Sequence, residues 1–330
     1  MKIAVDAMGG DFAPFEVVKG AIAAAIEMPD VDVILIGDET QIRGAIESST
    51  FPPANLKIFH APDAIAMDDH PVQSVRRKRQ SSLVVAARLV ATGEADATFS
   101  AGNTGAAMAV ATLDIGRIRG VDRPAIATTL PTMTGQVLIL DAGANVDCSP
   151  ENLRQFALLG SVYAERVMKY HSPRVGLLNI GGEESKGNEL TKAAHQLLKS
   201  TSINFVGNVE GKGIFEHDVD VVVCDGFAGN VLLKASEGIA EFIVELLRSE
   251  SSHYPEAFAG LNGLIDRTSA RLDYQETGGA PLLGINGVSV IGHGRSNARA
   301  ITTGILAAVA AASSGFVMAA QEVLEVGATV

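Results

Sequence analysis

The sequence predicts an α/β protein of three layers, in which helices cover both faces of a mostly parallel sheet. Apolar runs of about five to seven residues alternate with longer segments of helical periodicity along most of the chain. That alternation is typical of parallel strands joined by crossover helices. Hydrophobic residues make up 47% of the 330 residues and charged residues 19%, which excludes a disordered or disulfide-stapled chain.

Ten segments have the length, the β-branched composition and the flanking turn residues of strands. In chain order they are residues 2–6, 32–37, 56–60, 96–100, 125–130, 136–141, 174–180, 203–207, 219–225 and 288–292. Helices are predicted in the intervals between them. Pro14 marks the start of a helix over 15–28, and Ser149 followed by Pro150 marks the start of another over 152–170.

The domain organisation follows from the absence of breaks in composition. No Pro-, Ser- or Gly-rich linker divides residues 1–330, so we predict a single large α/β unit. The exception is a helical insertion at about 249–279, where the alternation of strands and helices fails. Its apolar side chains have roughly helical spacing. We expect them to be buried either against a second subunit or in a bilayer interface. These candidate membrane contacts are Phe258, Leu261, Leu264 and Ile265.

Charge and composition restrict the setting and the partners. The net formal charge is −12, which argues against a nucleic-acid partner. With only Cys148 and Cys224 as cysteines and no signal-peptide pattern at the N-terminus, we expect a reducing, cytoplasmic setting. Residues 300–321 carry no formal charge, but Thr, Ser and Gly interrupt them and Ala is weakly apolar. We therefore predict a buried core or dimer helix there rather than a membrane span.

Five of the predicted strands end in loops that are rich in Gly and Asn. Ligands of parallel sheets bind beyond the carboxyl ends of the strands. Glycine lets backbone amides approach a ligand closely and asparagine offers uncharged donors, which suits a phosphate or an oxyanion, although both are also ordinary turn residues. The candidate phosphate- or substrate-binding residues in these loops are Gly9, Gly10, Asn103, Thr104, Asn145, Asn188 and Asp225.

Three side chains in these regions are candidates for direct chemistry. Lys186 is the only lysine in the five loops, and Asn188 precedes a helix whose free amides would help an ammonium to hold a dianion. The alternative is a solvated lysine before a capped helix. Asn230 opens the next long helix, where it either caps the helix or contacts a ligand. His293 follows the last predicted strand and is either an acid or base or a turn residue.

Several familiar catalytic motifs are missing from the sequence. No G-x-G-x-x-G follows a predicted strand, and residues 207–213 only approach a P-loop, with wrong spacing and no Ser or Thr after the lysine. There is no G-x-S-x-G and no H-E-x-x-H, and the seven histidines are scattered. Cys148 has no neighbouring histidine, and Cys224 lies in a core strand. We therefore expect no nucleotide, no metal and no other cofactor.

One dense basic run stands out in this acidic chain. It consists of Arg76, Arg77, Lys78 and Arg79. Such a cluster recruits an acidic partner through its local field, despite the negative net charge. The alternative is a solvated helix face.

The loop sequences resemble those of the PlsX family of phosphate acyltransferases. The matching strings are Asp6 to Asp11, Ser100 to Ala106, Asp141 to Asn145, Leu177 to Gly181, Lys186 to Glu189, Asp225 to Phe227, Gly229 to Asn230 and Gly278 to Ala280. They occur in order over almost the whole chain, and their joint occurrence is specific although each string is short.

The resemblance implies an isocitrate/isopropylmalate dehydrogenase-like fold and a homodimer. It also implies transfer of a fatty acyl group from acyl carrier protein to inorganic phosphate, giving acyl phosphate for bacterial phospholipid synthesis. The enzyme would be cytoplasmic and peripherally attached to the membrane, where a glycerol-phosphate acyltransferase uses the product. Lys186 and Asn230 match the family's active-site lysine and asparagine. The chain departs from the family at Gly182 and in the insertion, where Arg267 and Arg271 replace a richer set of basic residues and weaken attachment to anionic lipid.

Three other functions remain open at this point. A phosphotransacetylase-like enzyme acting on acetyl-CoA has the same needs for phosphate and thioester, but needs no long apolar groove. A non-catalytic acyl-carrier or lipid-binding protein would account for the basic run and the insertion, but it leaves the five loops unexplained. A metal-dependent decarboxylating dehydrogenase would need a carboxylate cluster that the sequence does not reveal.

Overall fold

The computed structural model describes residues 1–47, 52–254, 260–272 and 278–327. Its described residues form one sheet of eleven strands in the order β3-β2-β1-β4-β11-β10-β5-β6-β9-β7-β8. The strands are β1 (Lys2–Asp6), β2 (Asp32–Gly37), β3 (Leu56–His60), β4 (Ala97–Ser100), β5 (Ala125–Pro131), β6 (Gln136–Leu140), β7 (Val175–Leu178), β8 (Phe205–Val209), β9 (Val221–Val223), β10 (Ala280–Leu283) and β11 (Val288–Ile291).

Twelve α-helices flank this sheet in the described part of the chain. They are α1 (Phe15–Glu27), α2 (Glu39–Glu47), α3 (Pro71–Arg77), α4 (Ser82–Ala91), α5 (Thr104–Val110), α6 (Pro150–Arg166), α7 (Glu189–Lys199), α8 (Gly211–Glu216), α9 (Gly226–His253), α10 (Asn262–Leu272), α11 (Ala298–Ser313) and α12 (Phe316–Gly327). A π-helical turn, Ala111–Ile115, continues α5. The helix starts that Pro14 and Ser149 indicated are present, and the Ser149 hydroxyl accepts a hydrogen bond from the Asn152 amide, which caps α6.

The sheet is mostly parallel, as predicted, but its two halves are joined by antiparallel pairs. Strands β3, β2, β1, β4 and β11 are parallel to one another, as are β6, β9, β7 and β8. Between these halves, β10 is antiparallel to both β11 and β5, and β5 is antiparallel to β6. The sequence missed β10 because the strand has only four residues, contains Pro281 and follows two glycines.

Helices cover both faces of each half, which confirms the three-layer architecture. Side chains of β1 alternate between two buried clusters: Ile3 and Val5 pack with α1 and α11, whereas Ala4 packs with α4 and α5. In the other half, α6, α7 and α12 cover one face and α8 with the start of α9 covers the opposite face. The candidate site lies where the two halves meet.

The uncharged segment predicted as a core helix forms most of α11 and the first half of α12. No single helix of the described residues is long and apolar enough to cross a membrane; α11 and residues 316–325 pass that test only as a pair, bent by 52°. Helix α11 packs against α1, and α12 packs against α6. Ile301 and Ile305 are fully buried, so the apolar face of α11 is part of the core.

The insertion is helical where the structure describes it. Helix α9 runs 28 residues and ends at His253, and α10 packs back against it. Only three residues of α9 are buried, whereas Ile239, Phe242, Ile243 and Leu246 are exposed along one stripe. This exposed apolar stripe lies just before residue 249, where the predicted insertion begins.

Candidate active site

A cavity of about 450 Å³, here called the interlobe cavity, lies between the two halves of the sheet. The loops after β1, β4, β6 and β11 contribute to its wall, as does α9. Asp11, Thr104, Ala142, Asn230 and His293 represent these five elements in the lining. Its volume is within the range of small-molecule sites, and several of the strand-end loops that were predicted to bind a ligand form part of its wall.

Helix α9 turns a polar stripe towards this cavity. Asn230, Lys234 and Glu237 line it, and their i, i+4, i+7 spacing places them on one face of the helix. Lys234 Nζ lies 2.7 Å from Glu237 Oε2. The helix starts where it does because the Asp225 carboxylate accepts a hydrogen bond of 2.8 Å from the Ala228 amide.

His293 and Arg295 enter the same cavity from the loop after β11. The backbone N–H of Arg295 donates to His293 Nδ1 over 3.2 Å, so the neutral ring carries its proton on Nε2. Partial burial, followed by the charges of Lys234 and Arg295, lowers the pKa of His293, although Glu237 and Asp11 oppose the effect. The imidazole is therefore mostly neutral at neutral pH.

The loop after β1 packs tightly on the loop after β4. Ser100 Oγ donates a 2.7 Å hydrogen bond to the buried Asp6 carboxylate, and burial raises the pKa of Asp6. A Cβ on Gly9 would lie 2.5 Å from Asp6 Oδ2 and 2.9 Å from the Gly102 nitrogen, so only glycine fits there. Gly10 has a φ of +113°. These contacts explain the two glycines by packing, and phosphate binding by Gly9 and Gly10 stays a prediction.

Asn103 does not have the role that the sequence suggested. Its side-chain oxygen accepts from the Ala106 amide and caps α5, while its Nδ2 donates to the carbonyls of Met67 and Asp69. Because both N–H groups already have acceptors, Asn103 has no donor left for an oxyanion. Thr104, the next residue, does line the interlobe cavity.

Asn145 is also removed from the set of direct ligand contacts. It is only 6% exposed, and its Nδ2 donates to the Pro124 carbonyl and to Asp141 Oδ2. The fully buried Asp141 carboxylate accepts further hydrogen bonds from the amides of Asn145, Ala144 and Ile126, and burial raises the pKa of Asp141. Asn145 therefore shapes the loop after β6 rather than touching a ligand.

A second cavity, of about 520 Å³ and here called the β7 cavity, lies beside the ends of β7 and β9. Leu153, Leu177, Leu178, Cys224 and Ala228 give it an apolar lining, and the polar residues at its edge are Asn179, Asn188, Thr191 and Asp225. The positions of Asp225 and Ala228 in α9 are roughly opposite those of the polar stripe that lines the interlobe cavity. The first turns of α9 therefore separate the two cavities.

Lys186 lies on the exposed loop after β7. Asn179 Nδ2 donates to its backbone carbonyl, and the Asn188 side chain accepts from the Thr191 amide to cap α7. Neighbouring residues of this loop line the β7 cavity, whereas Asn230 lines the interlobe cavity. No contact described for these loops joins the side chains of Lys186 and Asn230. Within a single chain, the two predicted catalytic residues therefore lie beside different cavities.

Lys234, Glu237 and Arg295 were missed as site residues by sequence reasoning. The signal for two of them was present, because they follow Asn230 at helical spacing on a helix that the sequence predicted. Arg295 lies two residues after His293, but only the tertiary structure shows that it faces α9.

The basic run is partly neutralised by the fold. Lys78 Nζ lies 2.6 Å from Asp69 Oδ2, and the Arg79 guanidinium pairs with Asp114. Arg76 and Arg77 are exposed, and no ion pair to either occurs within the described ranges. A docking surface on this run therefore consists mainly of Arg76 and Arg77, at the end of α3.

The insertion residues differ in their exposure. Leu261 and Leu264 are 44% and 51% exposed, as a membrane or partner contact requires. Ile265 is only 7% exposed, so its inclusion as a membrane contact was wrong: in α10 it faces inward. Phe258 lies outside the described residues.

Thiol and metal chemistry receive no support from the described residues. Burial, followed by the charge of Asp141, raises the pKa of Cys148 to about 11, so its thiolate is scarce at neutral pH. Burial also raises the pKa of Cys224. Within the described ranges, no three His, Cys, Asp or Glu side chains are grouped so that they could hold a metal ion.

The fold and this site define an α/β protein with a ligand-sized cavity between the two halves of its sheet, and solved phosphotransacetylases share the fold. The EutD phosphotransacetylase from Staphylococcus aureus superposes with a TM-score of 0.66 over 94% of each chain at 17% identity. A phosphotransacetylase from Streptococcus pyogenes gives 0.67 over 95% of this chain and 94% of that chain, at 15% identity. Identities this low establish the shared fold alone, a three-layer α/β architecture.

Sequence comparison identifies the family. Residues 1–319 match the family model described as "Fatty acid synthesis protein". The phosphate acyltransferase of Desulforamulus reducens is 51% identical over 98% of both chains, and that of Moorella thermoacetica is 48% identical over 97% of this chain and 94% of the relative. The chain belongs to this family, the PlsX family of phosphate acyltransferases, and is an acyltransferase. The family predicted from the loop strings is confirmed.

Proposed function

We propose that this enzyme transfers a fatty acyl group from acyl carrier protein to inorganic phosphate. Membership of the phosphate acyltransferase family supports acyl transfer to phosphate. The structural observation that carries the proposal is Asn230, whose uncharged amide faces a cavity that Lys234, His293 and Arg295 also line. A site of this kind suits a phosphate nucleophile next to a developing oxyanion.

The reaction needs positioning more than activation. Phosphate is already anionic at neutral pH, and one of its oxygens attacks the thioester carbonyl, forming a C–O bond and a tetrahedral oxyanion. Collapse of this intermediate breaks the C–S bond, and the electron pair leaves with the carrier thiolate. Asn230 would donate a hydrogen bond to the oxyanion and Lys186 would hold charge on the phosphate. Thioester and acyl phosphate are comparable in reactivity, so the chemistry needs no ATP.

The β7 cavity favours a long acyl chain over an acetyl group. Its leucine-rich lining, bounded by Ala228 of α9, offers an apolar surface next to the loop of Lys186. Each buried methylene contributes about 0.8 kcal/mol, so a long chain gains affinity there that an acetyl group cannot. This is our reason for preferring a fatty acyl donor to acetyl-CoA.

Three exposed surfaces support the proposed partners. Arg76 and Arg77 offer a docking surface for the acidic acyl carrier protein. The exposed apolar stripe of α9 is suited to a homodimer contact, and Leu261 with Leu264 to a weak contact with a membrane. A cytoplasmic enzyme of this kind would deliver acyl phosphate to a membrane glycerol-phosphate acyltransferase in bacterial phospholipid synthesis.

The test is incubation of the purified protein with long-chain acyl carrier protein and inorganic phosphate, with acyl phosphate measured directly. We expect product with and without EDTA, and faster turnover of a long-chain donor than of acetyl-CoA. A strict metal requirement would contradict the mechanism. A preference for acetyl-CoA would favour the phosphotransacetylase-like alternative, and binding of acyl carrier protein without turnover would favour the non-catalytic one.

A further inference from the structure

Three basic side chains converge on the interlobe cavity from two elements distant in sequence. Lys234 comes from α9, one helical turn beyond Asn230, and His293 and Arg295 come from the loop after β11. Burial, followed by the charges of Lys234 and Arg295, lowers the pKa of His293. Arg295 is exposed and has no ion pair within the ranges that the structure describes.

The pairing of Lys234 does not by itself explain this convergence. Lys19 and Glu16 on α1 form a closely matched i, i+3 pair, with the lysine 52% exposed against 51% for Lys234. Surface pairs of this kind contribute little to stability, and Lys19 does not line the cavity. What distinguishes Lys234 is that it lines the same cavity as Asn230 and a second cation, Arg295. Two like charges that share a cavity repel each other, and an anion bound between them reduces that repulsion.

We propose that Lys234 and Arg295 form a phosphate-binding subsite in the interlobe cavity, with Glu237 holding Lys234 in place until the phosphate arrives. The inference rests on the proposed function and deepens it, because it adds a phosphate-binding group next to Asn230 to the one predicted on the loop of Lys186. Arg and Lys are the side chains best suited to phosphate oxygens. The phosphate is either the free nucleophile or the phosphodiester of the carrier's prosthetic arm, since both present anionic phosphoryl oxygens.

Because the cavity also contains carboxylates, substitutions there are expected to change the affinity for phosphate in opposite directions. Asp11 and Glu237 also line the cavity and oppose an anion. Lys234→Gln and Arg295→Gln should each weaken phosphate binding about tenfold, the low end for a hydrogen bond to a charged group at a partly exposed site. Glu237→Gln should tighten it, because a repelling charge is removed while Lys234 remains. Lys234→Arg should retain most of the affinity.

The experiment measures binding without turnover. Inorganic phosphate and 4′-phosphopantetheine are titrated separately against each full-length variant by phosphorus NMR, with Lys19→Gln as the matched control and thermal unfolding as the check of folding. Weaker binding of inorganic phosphate alone identifies the nucleophile as the ligand, and weaker binding of phosphopantetheine alone identifies the prosthetic arm. Either result supports the subsite. Wild-type affinity for both probes in folded Lys234→Gln and Arg295→Gln would overturn it, as would weaker binding in Glu237→Gln.

Steady-state kinetics separate this inference from the proposed function. In the acyl phosphate assay, the KM for the ligand identified by NMR should rise in Lys234→Gln by a factor similar to its loss of affinity. If the wild-type protein makes no acyl phosphate but the binding changes occur, the subsite stands and the proposed function fails. If the wild type is active and neither affinity nor KM changes, the function stands and the subsite fails.

Discussion

At the scale of single residues, substitutions of Asn230 and Lys186 test the catalytic assignment. Asn230→Ala removes a neutral donor from the interlobe cavity, and loss of an oxyanion donor typically costs about 10²–10³ in turnover. Lys186→Ala removes a charge from an exposed loop outside the lining of that cavity, so we expect its main effect on the KM for phosphate. Both side chains are exposed, and both variants should keep the wild-type thermal transition.

Rate measurements with acyl carrier protein and phosphate varied separately check these expectations. Lys192→Ala, which removes an exposed lysine of α7 that lines neither cavity, serves as a control for the loss of a nearby charge. Wild-type turnover in folded Asn230→Ala would remove that residue from the mechanism. A Lys186→Ala variant with wild-type kinetics would leave only the cations of the interlobe cavity to hold phosphate.

At the scale of elements, an ion pair fastens the start of β7 to the start of β9. Arg174 donates from Nε and from its terminal nitrogen to the Asp220 carboxylate, and its backbone N–H donates to Asp220 Oδ2 over 2.7 Å. Burial raises the pKa of Asp220, but the hydrogen bonds and charge of Arg174 outweigh it, and the pKa lies below its ordinary value of 3.8.

Arg174→Ala should therefore lower the free energy of unfolding by about 1–3 kcal/mol near neutral pH. Because the pKa of Asp220 is depressed in the folded state, the stabilisation is complete above about pH 3.8 and is lost as the pH falls through the folded value. Thermal unfolding from pH 7 to pH 2 measures this, with Arg43→Ala as a control that breaks an exposed pair on α2. A difference from wild type that persists undiminished at pH 2 would contradict the assignment.

The end of α3 carries the second prediction for an element. Arg76→Glu/Arg77→Glu should slow the association of acyl carrier protein and flatten its salt dependence, because exposed charges act over about 8 Å at physiological salt. Turnover at saturation should change little. The control is Arg119→Glu/Arg166→Glu, which changes the net charge equally on exposed arginines outside the cluster. Equal association rates for the two double variants would mean that the run is simply a solvated helix face.

At the scale of the whole molecule, the exposed apolar surface of α9 and α10 requires a cover. Leu261→Glu/Leu264→Glu should reduce co-sedimentation with lipid vesicles, with a weak salt dependence because few basic residues lie nearby. Leu113→Glu, a similarly exposed leucine in the π-helical turn, is the control. Analytical ultracentrifugation checks the oligomeric state. Equal pelleting of variant and wild type, with an unchanged oligomer, would exclude these two leucines as the membrane contact.

The sequence by itself determined the α/β class, ten of the eleven described strands and the family. It could do so because strand and helix periodicity are local properties, and because strings such as Asp6 to Asp11 lie at strand ends whose geometry requires glycine. The boundaries of the strands were predicted less accurately: the strand predicted at 203–207 is Phe205–Val209 in the structure. β10 was lost because a four-residue strand containing proline has almost no local signal.

Only the tertiary structure decided which polar residues face a cavity. Three asparagines lie in Gly/Asn loops or directly after them. The side-chain amides of Asn103 and Asn145 donate to backbone and carboxylate acceptors, whereas Asn230 faces the interlobe cavity. Arg295 and Lys234 are 61 positions apart and meet there only because β10 and β11 return the chain to the middle of the sheet. The partner of a side chain depends on non-local packing, which local sequence patterns do not encode.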